Sequence, residues 1–145
     1  VSLILDDQLC FALYSTSHAM SRAYREPLKR LGLTYPQYLV MLVLWEEDGI
    51  SVSSVGQRLF LDSATLTPLL KRLEGMQLVE RKRDATDERS VRVTLTESGR
   101  AIKREARRVP LEIARAMGDS MHDVVDLKTR IEVLRDNLKR SVEFA

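Results

Sequence analysis

The stretch that most narrows what this chain can fold into runs from Ser51 to Val93. At its centre, residues 61–74 read Leu-Asp-Ser-Ala-Thr-Leu-Thr-Pro-Leu-Leu-Lys-Arg-Leu-Glu. Leu66, Leu69, Leu70 and Leu73 fall at i, i+3, i+4 and i+7, one buried helical stripe. Asp62 or Ser63 offers the side-chain oxygen that a helix start requires. The opposite face carries Ser63, Thr65, Thr67, Lys71 and Arg72, short hydroxyls able to reach base edges or phosphates, then two cations. Just before it, Val52–Phe60 reads as a two-turn helix with Val55, Leu59 and Val52 inward, and Phe60-Leu61-Asp62 is a tight turn. Two short helices so joined form a helix-turn-helix. Just after it, Gly75 ends the helix and Leu78–Arg83 alternates like a strand. Asp84–Arg89 is a polar turn and Ser90–Leu95 alternates back, a β-hairpin with a basic tip.

Helix, turn, helix and charged hairpin make a winged helix-turn-helix. A leucine stripe alone is ordinary core, and a basic hairpin alone is a solvated edge that discourages strand pairing. The ordered combination points to double-stranded DNA. Ser63, Thr65, Thr67 and Arg72 are the expected contacts from the recognition helix, Arg83 and Arg89 those from the wing, and Lys71 a phosphate contact.

Charge supports this by placement rather than by total. With 23 Lys+Arg against 21 Asp+Glu the net charge is only +2. Lys71, Arg72, Arg81, Lys82, Arg83, Arg89 and Arg92 flank the hairpin, and Asp84, Asp87 and Glu88 gather at its turn. One cysteine and two separated histidines rule out a disulfide framework and argue against a metal site, so no cofactor is expected. No apolar run approaches the roughly 20 residues of a membrane span. The first residues carry no leader pattern, which makes the cytoplasm the expected compartment and a membrane partner unexpected.

In chain order, Leu5–Leu31 reads as a long first helix, with Leu9, Leu13, Ala19 or Met20, and Ala23 in its stripe. Asp6 or Asp7 suits its start, and Pro27 either kinks its last turn or ends it near Glu26. Thr34 caps a second helix with Pro36 in its first turn. Leu39, Met41, Leu42, Leu44 and Trp45 make that helix apolar on most faces, the buried centre of the domain. Ile50-Ser51-Val52 offers a third short strand. Beyond the hairpin, Thr96 caps a helix expected to reach Met117 with a kink at Pro110. Gly118-Asp119-Ser120 is a junction. Asp123–Val142 is a last helix with Val124, Leu127, Ile131, Leu134, Leu138 and Val142 on one stripe.

The expected fold is therefore mainly α with a small β-hairpin wing. Residues 1–34 form an N-terminal dimerisation helix, 35–95 a winged helix-turn-helix core, and 96–145 C-terminal dimerisation helices. Terminal helices that outrun a small core need a surface to cover their stripes, and a homodimer supplies one. It would also present two recognition helices about one helical turn of DNA apart, suiting a palindromic operator.

The whole order resembles the multiple antibiotic resistance regulator (MarR) family, on the Leu66–Leu73 helix, the hairpin Asp84–Ser90 and Leu95-Thr96-Glu97-Ser98-Gly99. The resemblance implies that Arg89 enters the minor groove and that Asp87 shapes the wing. Within the family, the chain is similar to the organic hydroperoxide resistance regulator branch. The residues are Asp7-Gln8-Leu9-Cys10-Phe11-Ala12-Leu13-Tyr14, then Tyr24, then Leu33-Thr34-Tyr35-Pro36-Gln37-Tyr38. This implies that Cys10 is a peroxide sensor hydrogen-bonded by Tyr24 and Tyr35 of the partner subunit. A thiolate is the nucleophile toward a peroxide, and a helix N-terminus and phenol donors both favour an anion. Phe11, Leu9 and Met20 suit an organic hydroperoxide, and Tyr14 either closes the pocket or packs.

Some members of the branch carry a second cysteine at the junction of the last two helices. Here that junction reads Gly118-Asp119-Ser120, which leaves the one-cysteine route, a sulfenic acid capped by a low-molecular-weight thiol or over-oxidised. The rival readings are a repressor released by a small phenolic ligand with Cys10 structural, and a thiol peroxidase. The second lacks a nearby arginine or second cysteine for turnover, so no enzyme is expected.

Overall fold

The computed structural model describes residues 1–118 and 120–143; Asp119 of the expected junction lies outside the described residues. The chain divides into two compact units, Val1–Val109 and Pro110–Ala145.

In the first unit a single 3-10 turn, Leu5–Asp7, precedes α1, Leu9–Lys29. The helix thus starts later than the expected Leu5, and Asp6 and Asp7 lie in the turn rather than capping it. Gln8 holds the cap position, spending its side-chain amide on the carbonyls of Ser2 and Ile4 at 2.8 and 3.0 Å. Pro27 does not end α1. It sits in the last turn, where one backbone bond is lost, and Pro27 and Leu28 are the helix's buried residues, so packing outweighs that bond. Gly32, at φ +68°, turns the chain.

Helix α2, Tyr35–Glu46, is the centre of the core, with Tyr38, Val40, Met41, Val43 and Leu44 buried. Its start is a capping box. The Thr34 hydroxyl accepts the Gln37 amide at 3.4 Å and the Gln37 side chain accepts the Thr34 amide at 3.0 Å. After β1, Ile50–Ser51, come α3, Val52–Leu59, and α4, Ser63–Gly75. The turn between them is tight. A Cβ on Gly56 would stand 2.9 Å from the Leu61 carbonyl oxygen, so a larger residue would push α4 out of place. Asp62 caps α4 by accepting the Thr65 amide at 2.7 Å. Leu66, Leu70 and Leu73 are buried as the stripe requires.

Strands β2, Val79–Arg83, and β3, Val91–Leu95, form the wing. The antiparallel sheet runs β1-β3-β2, with Ile50 opposite Val93 and Val79 opposite Leu95. Thr96 caps the next helix by accepting the Gly99 amide at 3.0 Å. The single helix expected over 96–117 is instead α5, Glu97–Ala101, α6, Lys103–Ala106, and α7, Val109–Met117. The Arg108 amide closes a tight bond on the Glu105 carbonyl at 3.2 Å just ahead of Pro110. Proline has no amide to continue the ladder from α6, and Arg107 and Arg108 turn out of the helix just ahead of α7, where Pro110 sits in the first turn.

The second unit holds the rest of α7 and α8, Met121–Glu143, which begins two residues ahead of expectation. Ser120 starts it by accepting the Asp123 amide on its hydroxyl at 3.2 Å. The α8 stripe is not covered within the chain, as Leu127, Ile131, Leu138 and Val142 are exposed.

The tightest seam of the first unit is at Gly99, where an added Cβ would lie 2.1 Å from the Leu78 carbonyl oxygen. Backbone cannot yield as a side-chain tip can. Gly99→Ala should therefore cost about 1–3 kcal/mol. Gly75→Ala, with nothing within 4 Å, should cost nothing. Urea midpoints of the two variants check this, and equal midpoints would contradict the seam.

Candidate nucleic-acid interface and redox site

The face of α4 opposite its leucines is open. Ser63, Thr65, Lys71 and Arg72 are exposed and Thr67 is half-buried. These residues share one helix face because they fall on the side away from Leu66, Leu70 and Leu73. Neither Lys71 nor Arg72 forms an ion pair with another described residue, leaving both charges for an external anion.

The wing separates holding residues from presenting ones. Asp84 organises its base. One carboxylate oxygen accepts the Thr86 amide and hydroxyl at 2.9 and 2.8 Å, and the other accepts Arg92 Nε at 2.6 Å. The Thr86 bonds first, and Arg92 next, hold its carboxyl down at about 2. Arg92 also donates to the Gly49 carbonyl at 2.7 Å, tying the wing to the turn before β1. Arg81 is spent on Glu74 at 3.2 Å, which fixes β2 to the end of α4. Two of the cations that flank the hairpin are thus paired within the chain, Arg92 while still half exposed. Arg83 donates to the Glu88 carbonyl across the tip at 3.2 Å. The Asp87 carboxylate accepts the Arg89 amide at 3.0 Å, and the exposed Arg89 side chain makes no ion pair among the described residues. The sequence places Asp84 at the hairpin turn but not its bracing role, for which the signal is Asp-x-Thr at the strand end, an Asx-turn pattern.

Cys10 is the second residue of α1 and is exposed. Tyr14, one turn on, lies against His18 with ring centroids 4.3 Å apart. Tyr24 is fourteen residues beyond Cys10 on the same helix, about 21 Å at 1.5 Å per residue. Tyr24 meets Tyr35 with centroids 4.6 Å apart, and Tyr38 stands 5.9 Å from Tyr24 and 6.5 Å from Tyr35. The capping box at Thr34 and Gln37 sets the start of α2, and the i, i+3 spacing of Tyr35 and Tyr38 turns both rings toward α1. The structure brings Tyr24 and Tyr35 together and keeps both away from Cys10 of the same chain. Tyr38 was not among the expected site residues, although its spacing from Tyr35 was there to read.

Burial, then the neighbouring Tyr35 and Tyr38 hydroxyls, push Tyr24 up to about 12. Burial raises Tyr35 and Tyr38 as well. These phenols therefore remain protonated donors far above neutral pH. Folded pKa values above the unfolded one of about 10 make a contribution to stability that is complete below pH 10. It fades as pH rises through about 12. Titration of native protein at 295 nm should show three late tyrosines that return to about 10 in denaturant. Coincident native and denatured curves would contradict the cluster.

Among the described residues no group of three or more His, Cys, Asp or Glu side chains gathers to hold a metal, and no helix is long and apolar enough to cross a membrane.

Residues 22–106 match the family described as transcriptional regulator SarA/Rot. The chain is 51% identical over 134 residues to the HTH-type transcriptional regulator TtmR of Methylorubrum extorquens, covering 92% of this chain and 69% of that one. It is 44% identical to the organic hydroperoxide resistance transcriptional regulator of Bacillus subtilis, covering 92% and 91%. Among solved structures it is similar to AbfR of Staphylococcus epidermidis. Reduced AbfR bound to DNA gives a TM-score of 0.84 at 37% identity over 95% of this chain and 94% of that one. Overoxidised AbfR bound to DNA gives 0.78 at 39% over 94% and 93%. An open recognition helix, a braced wing, one exposed cysteine and a paired set of phenols, together with these likenesses, place the chain in the MarR/SarA family of winged-helix transcriptional regulators, in its organic hydroperoxide regulator branch and of the one-cysteine type.

Proposed function

We propose that this regulator is a peroxide-sensing repressor that binds a palindromic operator as a homodimer and leaves it when organic hydroperoxide oxidises Cys10. The observation that carries the reading is the separation along α1. An exposed cysteine stands at one end of the helix and a pair of protonated phenols at the other. One chain cannot join them, whereas two antiparallel copies of α1 would bring each Cys10 to Tyr24 and Tyr35 of the partner subunit. Each unit leaves apolar residues exposed, Leu9 and Phe11 in the first and Leu127, Ile131 and Leu138 in the second, and a dimer would cover such residues.

The chemistry balances without a cofactor. The Cys10 thiolate attacks the terminal oxygen of the hydroperoxide, an S–O bond forms and the O–O bond breaks. The sulfur becomes a sulfenic acid, losing two electrons, and the alkoxide takes a proton to leave as the alcohol. A low-molecular-weight thiol then condenses with the sulfenic acid, giving a mixed disulfide and water. The DNA complex of overoxidised AbfR favours this bulkier product over a sulfinic acid as the releasing form. The mixed disulfide displaces the phenols that had faced the sulfur and shifts one subunit against the other. The two α4 helices then no longer match successive major grooves.

On DNA, Ser63, Thr65, Thr67 and Arg72 read or flank base edges, Lys71 holds phosphate, and Arg83 and Arg89 track the backbone and minor groove from the wing. Asp87 keeps Arg89 presented, and the site is built for the cytoplasm, where an operator and a thiol pool coexist.

Cys10→Ser should bind operator with unchanged affinity and stay bound in excess cumene hydroperoxide, whereas the parent should dissociate in a gel shift. Release of Cys10→Ser by hydroperoxide would sink the sensor assignment. Lys71→Ala should flatten the slope of log K against log salt by about one unit, and an unaltered slope would remove Lys71 from the phosphate contacts.

A further inference from the structure

Resting on that redox reading, we propose that Tyr38 and Trp45 are the positioning link through which the state of the Tyr24–Tyr35 pair reaches the base of the wing. Tyr38 packs on both phenols, and its other side meets Trp45 edge-on with centroids 6.4 Å apart. The ring is 3% exposed, so it cannot swing into solvent when its neighbours move. Seven residues, nearly two turns of α2, separate Tyr38 from Trp45, so both lie on one side of a rigid helix.

Trp45 ends the run in hydrogen bonds rather than in more packing. Its indole N–H donates to the Gly99 carbonyl at 2.8 Å, and its own carbonyl accepts Lys103 Nζ at 2.8 Å. Gly99 is the residue jammed against the Leu78 carbonyl, one residue before β2 begins. The Leu78 carbonyl in turn accepts the Thr96 amide at 3.0 Å, and the Thr96 hydroxyl donates to the Gln77 carbonyl at 2.6 Å. A shift of the α2 C-terminus therefore moves the foot of β2 and β3 through a hydrogen bond and a backbone contact that has no slack. Each step is a close contact between groups that have few alternative positions, the kind of packing that transmits displacement. The phenols and the wing are thus joined by two aromatic side chains and one glycine, all within a single compact unit.

The link predicts a separation of functions. Trp45→Phe keeps an aromatic ring against Tyr38 and removes the donor to Gly99 together with part of the indole's volume. Reduced Trp45→Phe should bind operator within about threefold of the parent, and its Cys10 should be consumed by cumene hydroperoxide at the parental rate in a thiol assay. The loss of operator affinity on oxidation in the presence of a small thiol should shrink by on the order of tenfold. Full parental release from oxidised Trp45→Phe would overturn the link while leaving the sensor intact. A parent protein that consumes its thiol yet stays on DNA would instead overturn the redox reading and the link with it.

Trp45 is also the single tryptophan, so its emission reports the same path without any substitution in it. Oxidation of the parent should change that emission, and hydroperoxide should leave Cys10→Ser unaltered. An emission spectrum that stays the same while operator is released would overturn the proposal even where Trp45→Phe fails to fold.

Discussion

The pitch of one helix governs what the sensor can be. Helix α1 runs unbroken from Leu9 to Lys29, and Pro27 does not bend it back on itself. A side chain at its start and another two-thirds along it cannot touch, whatever their chemistry. The burial pattern agrees, since α1 gives the core of its own chain little beyond Pro27 and Leu28 and leaves Leu9, Phe11 and Tyr14 outside. A helix so poorly used by its own chain is available to another. In the proposed switch the sensor does not exist in a monomer at all; assembly creates it, and so assembly and signal share one surface.

The DNA-reading half follows a different economy. With a net charge of +2 the protein cannot rely on a general positive field, and position must do what quantity does not. Arg81 and Arg92 pair with Glu74 and Asp84, and these pairs brace the wing. What remains on the outside is a small set of cations on braced backbone. Because Asp84 is held low by the Thr86 amide and hydroxyl and by Arg92, it stays ionised throughout the neutral range, and the brace does not vary with pH there. In the proposed switch the responsive group is the Cys10 sulfur instead.

Local regularities carried the reading of the chain a long way. The leucine stripe of α4, the Asp62 and Thr96 caps and the alternation of the hairpin are each decided within about one or two turns of sequence, where periodicity and capping rules operate. What escaped was decided at long range. Arg92 to Gly49, Trp45 to Gly99 and Lys103 to Trp45 join residues 43, 54 and 58 apart, and no local pattern marks them. The cations around the hairpin could be counted but not sorted, because whether an arginine is spent on a carboxylate depends on which strand faces which helix end. Tyr38 was hidden by its own regularity, as one more apolar position on a helix that is apolar nearly all round. The break between α6 and α7 turned on Arg108 bonding to Glu105 ahead of Pro110, where a kink at the proline itself was the simpler expectation.

The tyrosine cluster also bears on why the signal can be transmitted at all. In the proposed dimer the Tyr24 and Tyr35 hydroxyls, neutral near pH 7 as phenols are and pushed further up by burial, offer directional donors without adding charge, so losing the Cys10 acceptor leaves donors unmet rather than a charge exposed. That penalty is modest, of the order of a hydrogen bond. In the proposed homodimer it would act at both ends of the two-fold assembly at once. If each reading head of a dimer loses about tenfold in affinity, the pair loses about a hundredfold, because the two free energies add. A small, uncharged disturbance is sufficient when symmetry applies it twice, and a larger one would threaten the fold that must survive to bind again after reduction.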